Sequence, residues 1–320
     1  MHFIRLIRPI NLGIVALTMY GIGWYFEGIY GVDPQSNILS ASYTWLVVST
    51  VMIAAAGNII NDYFDVRADR INKPDRLIIG KHVKRRVAIV SHWGLNFVAF
   101  SIAIYLSWVL ETFWYLFIHV FTINLLWYYS MHLKRRFFTG NILIAALTGL
   151  VPILVGFYFH QLYNPRTPEN TPETLFPFDQ YQGSNYILWL VFGLATFAFI
   201  LNLAREIVKD MEDVEGDKRL NAKTLPIVLG YRKTKWIAAF VLSGSVISTV
   251  LVYLFFNEIN FVSMLPIFIA ALLVTICFVL LAKASEKKHY RTINHLIKLS
   301  MVCGLLSPIY WKLLLIYGYN

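Results

Sequence analysis

Asn61-Asp62-Tyr63-Phe64-Asp65-Val66-Arg67-Ala68-Asp69 closes one long apolar run, and Lys209-Asp210-Met211-Glu212-Asp213-Val214-Glu215-Gly216-Asp217 closes another. Both contain Asp-x-x-Asp-x-x-x-Asp, with Asp62, Asp65 and Asp69 recurring as Asp210, Asp213 and Asp217 at a constant offset of 148 residues. On a helix, steps of three, four and seven residues return to one face, so each copy predicts a stripe of three carboxylates. Like charges at that spacing repel and call for a cation.

The runs ahead of these acids are characteristic of the whole chain. Of its 320 residues, 58% are hydrophobic and 14% charged, with a mean hydropathy of +0.58. A soluble domain carries far more charge, so the composition predicts an all-α polytopic membrane protein. A spanning helix needs about 20 mostly apolar residues, and the chain has room for roughly nine in one transmembrane domain over 1–320. Spans are expected near 10–29, 43–60, 87–109, 112–130, 140–160, 185–205, 235–256, 261–282 and 293–316. Arg5, Arg8 and Pro9 precede the first run without a small-residue cleavage site, which fits a retained span and not a signal peptide.

The net charge of +10 does not point to nucleic acid, because the basic residues, Arg166 and Lys312 apart, fall in or beside alternate gaps between spans, with Lys298 just inside the last span. Arg5 and Arg8, the segment from Arg67 to Arg86, Lys134 to Arg136, Arg205 to Lys235 and Lys283 to Arg291 all fall on one side. Positive-inside sorting then puts the N-terminus in the cytoplasm, the C-terminus outside and both acid triads at the cytoplasmic face of a cell or inner membrane. The matched positions suggest a weak parallel repeat of four-helix units with a ninth helix added. The segment 161–184, with Pro165, Pro168, Pro172 and Pro177, reads as an outer loop without chemistry. Lys283 to Arg291 reads as orientation and contact with anionic lipid. Cys277 and Cys303 fall in spans and read as small hydrophobes, not a disulfide. His119 and His160, isolated in spans, read as hydrogen-bonded packing residues.

Two carboxylate triads at one membrane edge, with no Cys or His at ligand spacing, select a hard cation, Mg2+. Magnesium typically uses one or two carboxylates and completes its shell with substrate phosphates and water. A diphosphate at the mouth of an apolar helical bundle implies an amphiphile with a phosphorylated head and a hydrocarbon tail, a prenyl diphosphate. The metal would stabilise charge on the departing diphosphate, and a dry chamber would protect an allylic cation. Arg76, after Asn72-Lys73-Pro74-Asp75, and Lys134, after Ser130-Met131-His132-Leu133, are the cations placed to bind diphosphate oxygens.

Asn61-Asp62-x-x-Asp65-x-x-x-Asp69 followed by Ile71-Asn72-x-Pro74-x-Arg76, and Lys209-Asp210-x-x-Asp213-x-x-Gly216-Asp217 followed by Thr224-Leu225-Pro226-x-x-Leu229-Gly230, resemble the UbiA superfamily of intramembrane prenyltransferases. Arg8-Pro9-x-Asn11 and the segment from Tyr129-Ser130 to Lys134-Arg135 carry the same likeness. The resemblance implies a nine-helix bundle, magnesium held through the Asp motifs and an acceptor that attacks the allylic carbon. Arg205-Glu206-Ile207-Val208-Lys209-Asp210 with Glu212 to Asp217 is most similar to the branch that makes archaeal-type ether lipids, the digeranylgeranylglyceryl phosphate synthases, whose acceptor is geranylgeranylglyceryl phosphate. Two departures concern the acceptor: Leu77-Ile78-Ile79-Gly80 stands where Pro-Ile-Pro-Ser-Gly is common, and Asn221 stands where Gly is expected.

The expected roles are metal or diphosphate binding for Asp62, Asp65, Asp69, Asp210, Asp213 and Asp217, of which Asp65, Asp69, Asp213 and Asp217 are the direct catalytic set. Asn61, Arg76 and Lys134 are assigned to substrate, and Glu206, Lys209 and Glu212 to solvated surface. Two alternatives stand beside this reading. An aromatic-acceptor prenyltransferase of quinone, chlorophyll or haem pathways would share the motifs. A cation-coupled transporter would place its acids near the bilayer midplane on broken helices, whereas these sit in polar loops at the ends of spans.

Overall fold

The computed structural model describes residues 2–30, 38–162, 184–255 and 261–318, with side chains outside the description at 28–30, 76, 184–186 and 251–255. The described residues form eleven α-helices: α1 (His2–Ile7), α2 (Pro9–Tyr30), α3 (Ala41–Asn72), α4 (Arg85–Val109), α5 (Trp114–Met131), α6 (Thr139–Leu162), α7 (Ser184–Arg219), α8 (Leu225–Phe255), α9 (Leu265–Lys283), α10 (Lys287–Leu305) and α11 (Ser307–Tyr317). The only β-type pairing among them is an isolated bridge between Ile79 and Val83. Six helical stretches, 41–72, 85–109, 139–162, 187–219, 265–283 and 287–317, are long and apolar enough to cross a membrane. The other three expected spans coincide with α2, α5 and α8, two of them rich in Trp and Tyr, residues that favour the bilayer interface. The prolines expected in a loop at 165–177 lie outside the described residues.

Four boundaries differ from expectation. Helices α3 and α7 do not stop near residues 60 and 205 but continue through both acid triads to Asn72 and Arg219, so the acids are helical and not in loops. The polar turns keep their backbone hydrogen bonds at no cost to a helix outside hydrocarbon, and side chains described below compensate their charges. The last expected span is broken at Leu306, because Pro308 lacks the N–H that would continue α10. Helix α8 begins ten residues early and is interrupted at Gly230, at φ 77° and ψ 163°.

The chain divides into two compact units. The first comprises 1–17, 39–143 and 213–228. In it α3 packs along α4 and α5, and the buried cluster Leu6, Ile59, Val66, Ile79 and Ala88 ties α1 and the 77–83 turn to α3. Gly57 lets α5 approach: a Cβ there would meet Leu126 Cδ1 at 3.1 Å. Most polar side chains inside this helical layer find a partner, as burial in an apolar medium favours, although among the described residues Asn96 Oδ1 and Thr122 Oγ1 do not. His119 shares a 2.8 Å hydrogen bond with Ser49 and a 2.7 Å bond with the Tyr115 carbonyl, the packing role expected of it.

The second unit comprises 18–38, 144–212 and 229–320. Helices α9 and α10 pack together, with Ser300 Oγ donating to the Ala270 carbonyl at 2.9 Å. Trp311 Nε1 donates to the Ser263 carbonyl at 2.8 Å while its ring meets Tyr25 edge-on. Cys277 and Cys303 are free thiols. The run Lys283 to Arg291 is more than a lipid-facing patch. Glu286 and His289 form a reciprocal cap on α10, and Arg291 reaches the buried Glu212 at 3.1 Å.

Candidate active site

The first triad occupies the last turns of α3, with Asp65 buried and Asp62 and Asp69 half-buried. Each of the first two acids meets a cation from elsewhere in the first unit. Arg8, in the left-handed link between α1 and α2 at φ 57°, donates from Nη2 to Asp62 Oδ1 at 2.5 Å. Lys134 donates to Asp65 Oδ2 and, at 3.0 Å, to Asn61 Oδ1. Burial opposes the Lys134 charge, but the Asp65 carboxylate, aided by Asp69, overrides it and holds the ammonium above the ordinary lysine range. Asp69 experiences repulsion from Asp65 and Asp62 and attraction from Lys134 and Lys73.

Lys134 is positioned by a short 3-10 turn, Leu133–Arg135, between α5 and α6. Arg135 Nη2 donates to the Phe64 carbonyl at 3.3 Å, and the Arg135 carbonyl accepts from Lys223 N at 2.8 Å. Gly140 allows the turn to close, since a Cβ there would lie 2.8 Å from the Leu133 carbonyl oxygen.

The end of α3 joins the second triad. Pro74 stops the helix, and Asn72 and Lys73, just before it, turn to α7. Buried Asn72 donates from Nδ2 to the Asp213 carbonyl at 2.9 Å and accepts from Gly216 N at 2.8 Å. A Cβ at Gly216 would collide with the Asn72 amide, so this position requires glycine. Lys73 Nζ donates to Asp213 Oδ2 at 2.8 Å, while Asp213 Oδ1 is buried with no hydrogen-bond partner among the described residues. An orphaned buried carboxylate oxygen is costly unless a ligand completes it.

Asp65, Asp69, Asp213, Asp62, Asn61 and Lys134 therefore belong to one compact unit, and Asp217 lies within it at the end of α7. Asp210 lies on α7 in the second unit, half-buried. Arg76 closes the 3-10 turn Pro74–Arg76, and its side chain lies outside the described residues. Glu206 and Glu212 are not solvated. Their side chains are 7% and 5% exposed, matched by Arg205 and Lys209 and by Arg291 respectively, since a carboxylate on the apolar part of a bundle needs a partner. The reading from sequence assigned no role to Arg8, Asn72 or Lys73. Their signal was local: an Arg-Pro ahead of the first apolar run, and an Asn-Lys pair at the proline stop of α3.

Among the described residues, no three His, Cys, Asp or Glu side chains converge on one point as a closed metal cage would require. The donors nevertheless fit a hard divalent ion, being carboxylate and amide oxygens with one buried oxygen unmatched. Such an ion takes few protein ligands when phosphates and water supply the rest.

Apolar helices carry polar triads at their ends, with cations gathered around the first and a lysine on the second, an arrangement of a membrane-embedded protein. The sequence profile of the UbiA prenyltransferase family matches residues 19–302, and the chain belongs to that family. It is an integral, multi-pass membrane prenyltransferase. Digeranylgeranylglyceryl phosphate synthase of Thermococcus gammatolerans is 33% identical over 290 residues, covering 91% of each chain. That of Methanothermobacter thermautotrophicus is 31% identical over 300 residues, covering 93% of this chain and 92% of the relative. Among solved structures, a digeranylgeranylglyceryl phosphate synthase superposes with a TM-score of 0.64 at 24% identity over 97% of both chains. A UbiA homologue from Archaeoglobus fulgidus bound to GPP and Mg2+ superposes with a TM-score of 0.57 at 15% identity, over 97% of this chain and 99% of that one. These two likenesses establish the fold.

Proposed function

We propose that the chain, acting as one transmembrane domain over 1–320, transfers a prenyl group from a prenyl diphosphate to a lipophilic acceptor in a Mg2+-dependent reaction, and that the pair is a geranylgeranyl donor with geranylgeranylglyceryl phosphate. The observation that carries this reading is the tie between the triads: Asn72 and Lys73, at the end of the first motif, hold Asp213 and Gly216 of the second. Relatives named as digeranylgeranylglyceryl phosphate synthases, similar over nine-tenths of the chain, support the acceptor, and a homologue bound to GPP and Mg2+ supports the donor and metal.

In this reading Asp62, Asp65, Asp69, Asp210, Asp213 and Asp217 hold the metal and its diphosphate, with Asp65, Asp69, Asp213 and Asp217 nearest the chemistry. When bound, Mg2+ supplies Lewis-acid stabilisation of charge on the leaving diphosphate. Lys134 and Arg76 bind diphosphate oxygens, and Asn61 orients Lys134. The allylic C–O bond breaks with both electrons leaving on the diphosphate. The acceptor hydroxyl oxygen forms the new C–O bond and releases its proton. The basic gaps support a cytoplasmic N-terminus and a cytoplasmic active site.

The test is a matrix of purified protein with geranylgeranyl, farnesyl and longer diphosphates against glyceryl phosphate ethers, hydroxybenzoate, naphthoate and porphyrin acceptors, with Mg2+ or EDTA. The expected product is the diether phosphate, formed from the geranylgeranyl donor and lost in EDTA. Product on an aromatic acceptor alone would overturn the acceptor, and turnover undiminished in EDTA would overturn the metal assignment.

A further inference from the structure

Helix α7 carries a second polar cluster that the acid triads do not use. The Glu206 carboxylate accepts from Arg205 Nη1 at 2.7 Å and from Lys209 Nζ at 3.1 Å. Arg205 Nη1 also donates to Asn202 Oδ1 at 2.9 Å, and Asn202 is held in turn through Nδ2 by Thr148 Oγ1 at 2.8 Å and the Ile144 carbonyl at 3.3 Å. All these residues lie in the second unit.

Charge counting separates two explanations. A cluster that existed to neutralise Glu206 would need one cation, and a second is expensive on the apolar portion of a helix. Two cations on one carboxylate leave a net charge of +1. Both Arg205 bonds leave from Nη1, so among the described residues Nε and Nη2 are uncommitted, and Lys209 commits one of its three N–H groups. The two side chains are 23% and 22% exposed, whereas Glu206 between them is 7% exposed. Arg205 and Lys209 are i and i+4, neighbours on one helix face. The Thr148–Asn202 strut fixes the guanidinium before any ligand arrives, and a planar fork beside an ammonium matches phosphate oxygens.

We propose that Arg205 and Lys209, oriented by Glu206 and Asn202, form a site for a phosphate monoester, the head group of the prenyl acceptor. This rests on the prenyl-transfer reading for the ligand's identity. The same chemistry could be presented by the donor diphosphate or by a membrane lipid, and the test must separate these sources.

The experiment measures binding to the full-length protein in detergent, using a monoalkylglyceryl phosphate and the matching monoalkylglycerol in EDTA, and a non-hydrolysable prenyl thiodiphosphate with Mg2+. Wild type is compared with Arg205→Gln, Lys209→Gln and the charge-preserving Arg205→Lys, each checked for helicity and monodispersity. Phosphate-lipid affinity is expected to fall about tenfold or more in each Gln variant, the loss of one charge-assisted hydrogen bond, and less in Arg205→Lys. Monoalkylglycerol and thiodiphosphate binding are expected to stay unchanged. Equal wild-type affinity for the phosphate and the alcohol would overturn the proposal, as would a loss confined to thiodiphosphate. Phosphatidic acid, which carries the same phosphate monoester on two chains and no free hydroxyl, binding as tightly as the monoalkylglyceryl phosphate would reassign the site to bulk lipid and overturn the acceptor assignment. If Arg205→Gln fails to fold, Lys209→Gln decides alone. Because the binding arm needs no turnover, absent transfer with intact phosphate selectivity would reject the prenyl-transfer reading and leave the site standing.

Discussion

The triad on α3 and the triad on α7 share one spacing, yet their charges are met differently. Asp62 and Asp65 are matched by cations drawn from distant parts of the chain, Arg8 and Lys134. Asp213 is matched by Lys73, from the end of the other motif, and still keeps one buried oxygen without a partner among the described residues. A duplicated sequence pattern thus gives one half whose first two acids are paired and one half with coordinating capacity in reserve. Asn72 and Gly216 set the register between them.

The largest expected effect comes from removing an acid of either half. Asp65→Ala and Asp213→Ala should each lower the transfer rate by about 10²–10³-fold or more, as loss of electrostatic stabilisation at a reacting centre does. Turnover assays at saturating Mg2+ on variants that elute as wild type check this. An unchanged rate in either would remove that half from the mechanism.

Breaking the register is expected to be next in size. Asn72→Ala removes two hydrogen bonds to the α7 backbone, at the Asp213 carbonyl and the Gly216 N–H, a loss of about 1–3 kcal/mol at the usual net worth of such bonds. Gly216→Ala drives a methyl into the same amide. The two should be strongly non-additive, since truncating Asn72 makes the space that the added methyl needs. A double-mutant cycle in thermal stability and in kcat reads this, and additive costs would show that the contact does not couple the halves.

Lys73→Met should act in the opposite direction on metal binding. A divalent ion at Asp213 competes with the Lys73 ammonium, whose partly exposed ion pair is worth up to about 1 kcal/mol. Its removal is expected to lower the Mg2+ concentration needed for half-maximal activity by up to about fivefold, in a titration of activity against free Mg2+. A higher Mg2+ requirement in this variant would mean that Lys73 helps to hold the bound complex.

The smallest effect concerns the turn after the second triad. Asn221 sits at φ 53°, in the left-handed region that Gly and Asn occupy most readily. Asn221→Gly should therefore shift stability by no more than about 1 kcal/mol and leave transfer unchanged, as a melting curve and an assay together would establish.

Much of this could be read from residues alone. Hydropathy located the helices, and carboxylate spacing located the two stripes, because both depend on local periodicity. The odd residue Asn221 is explained by its backbone angle: the position needs a left-handed conformation, which Asn supplies in place of Gly. What could not be read was pairing at long range. Nothing local links Arg8 to Asp62 or Asn72 to Gly216, which are 54 and 144 residues apart. Nor does composition distinguish a solvated Glu206 from a buried one, since burial depends on which elements pack against it. The ends of α3 and α7 were misplaced because hydropathy falls where the apolar run ends, while helical hydrogen bonding continues.

That continuation has a physical consequence. At about 1.5 Å per residue, the 32 residues of α3 extend for about 48 Å, against a hydrocarbon thickness of about 30 Å. The rod overshoots the oil by roughly half its thickness, and its acids ride on the overhang. For a prenyl transferase this makes the solvent boundary a sorting device. With the diphosphate held by these acids as proposed, it would leave outward into water while the lengthened lipid stays in the bilayer, so the two products would part company.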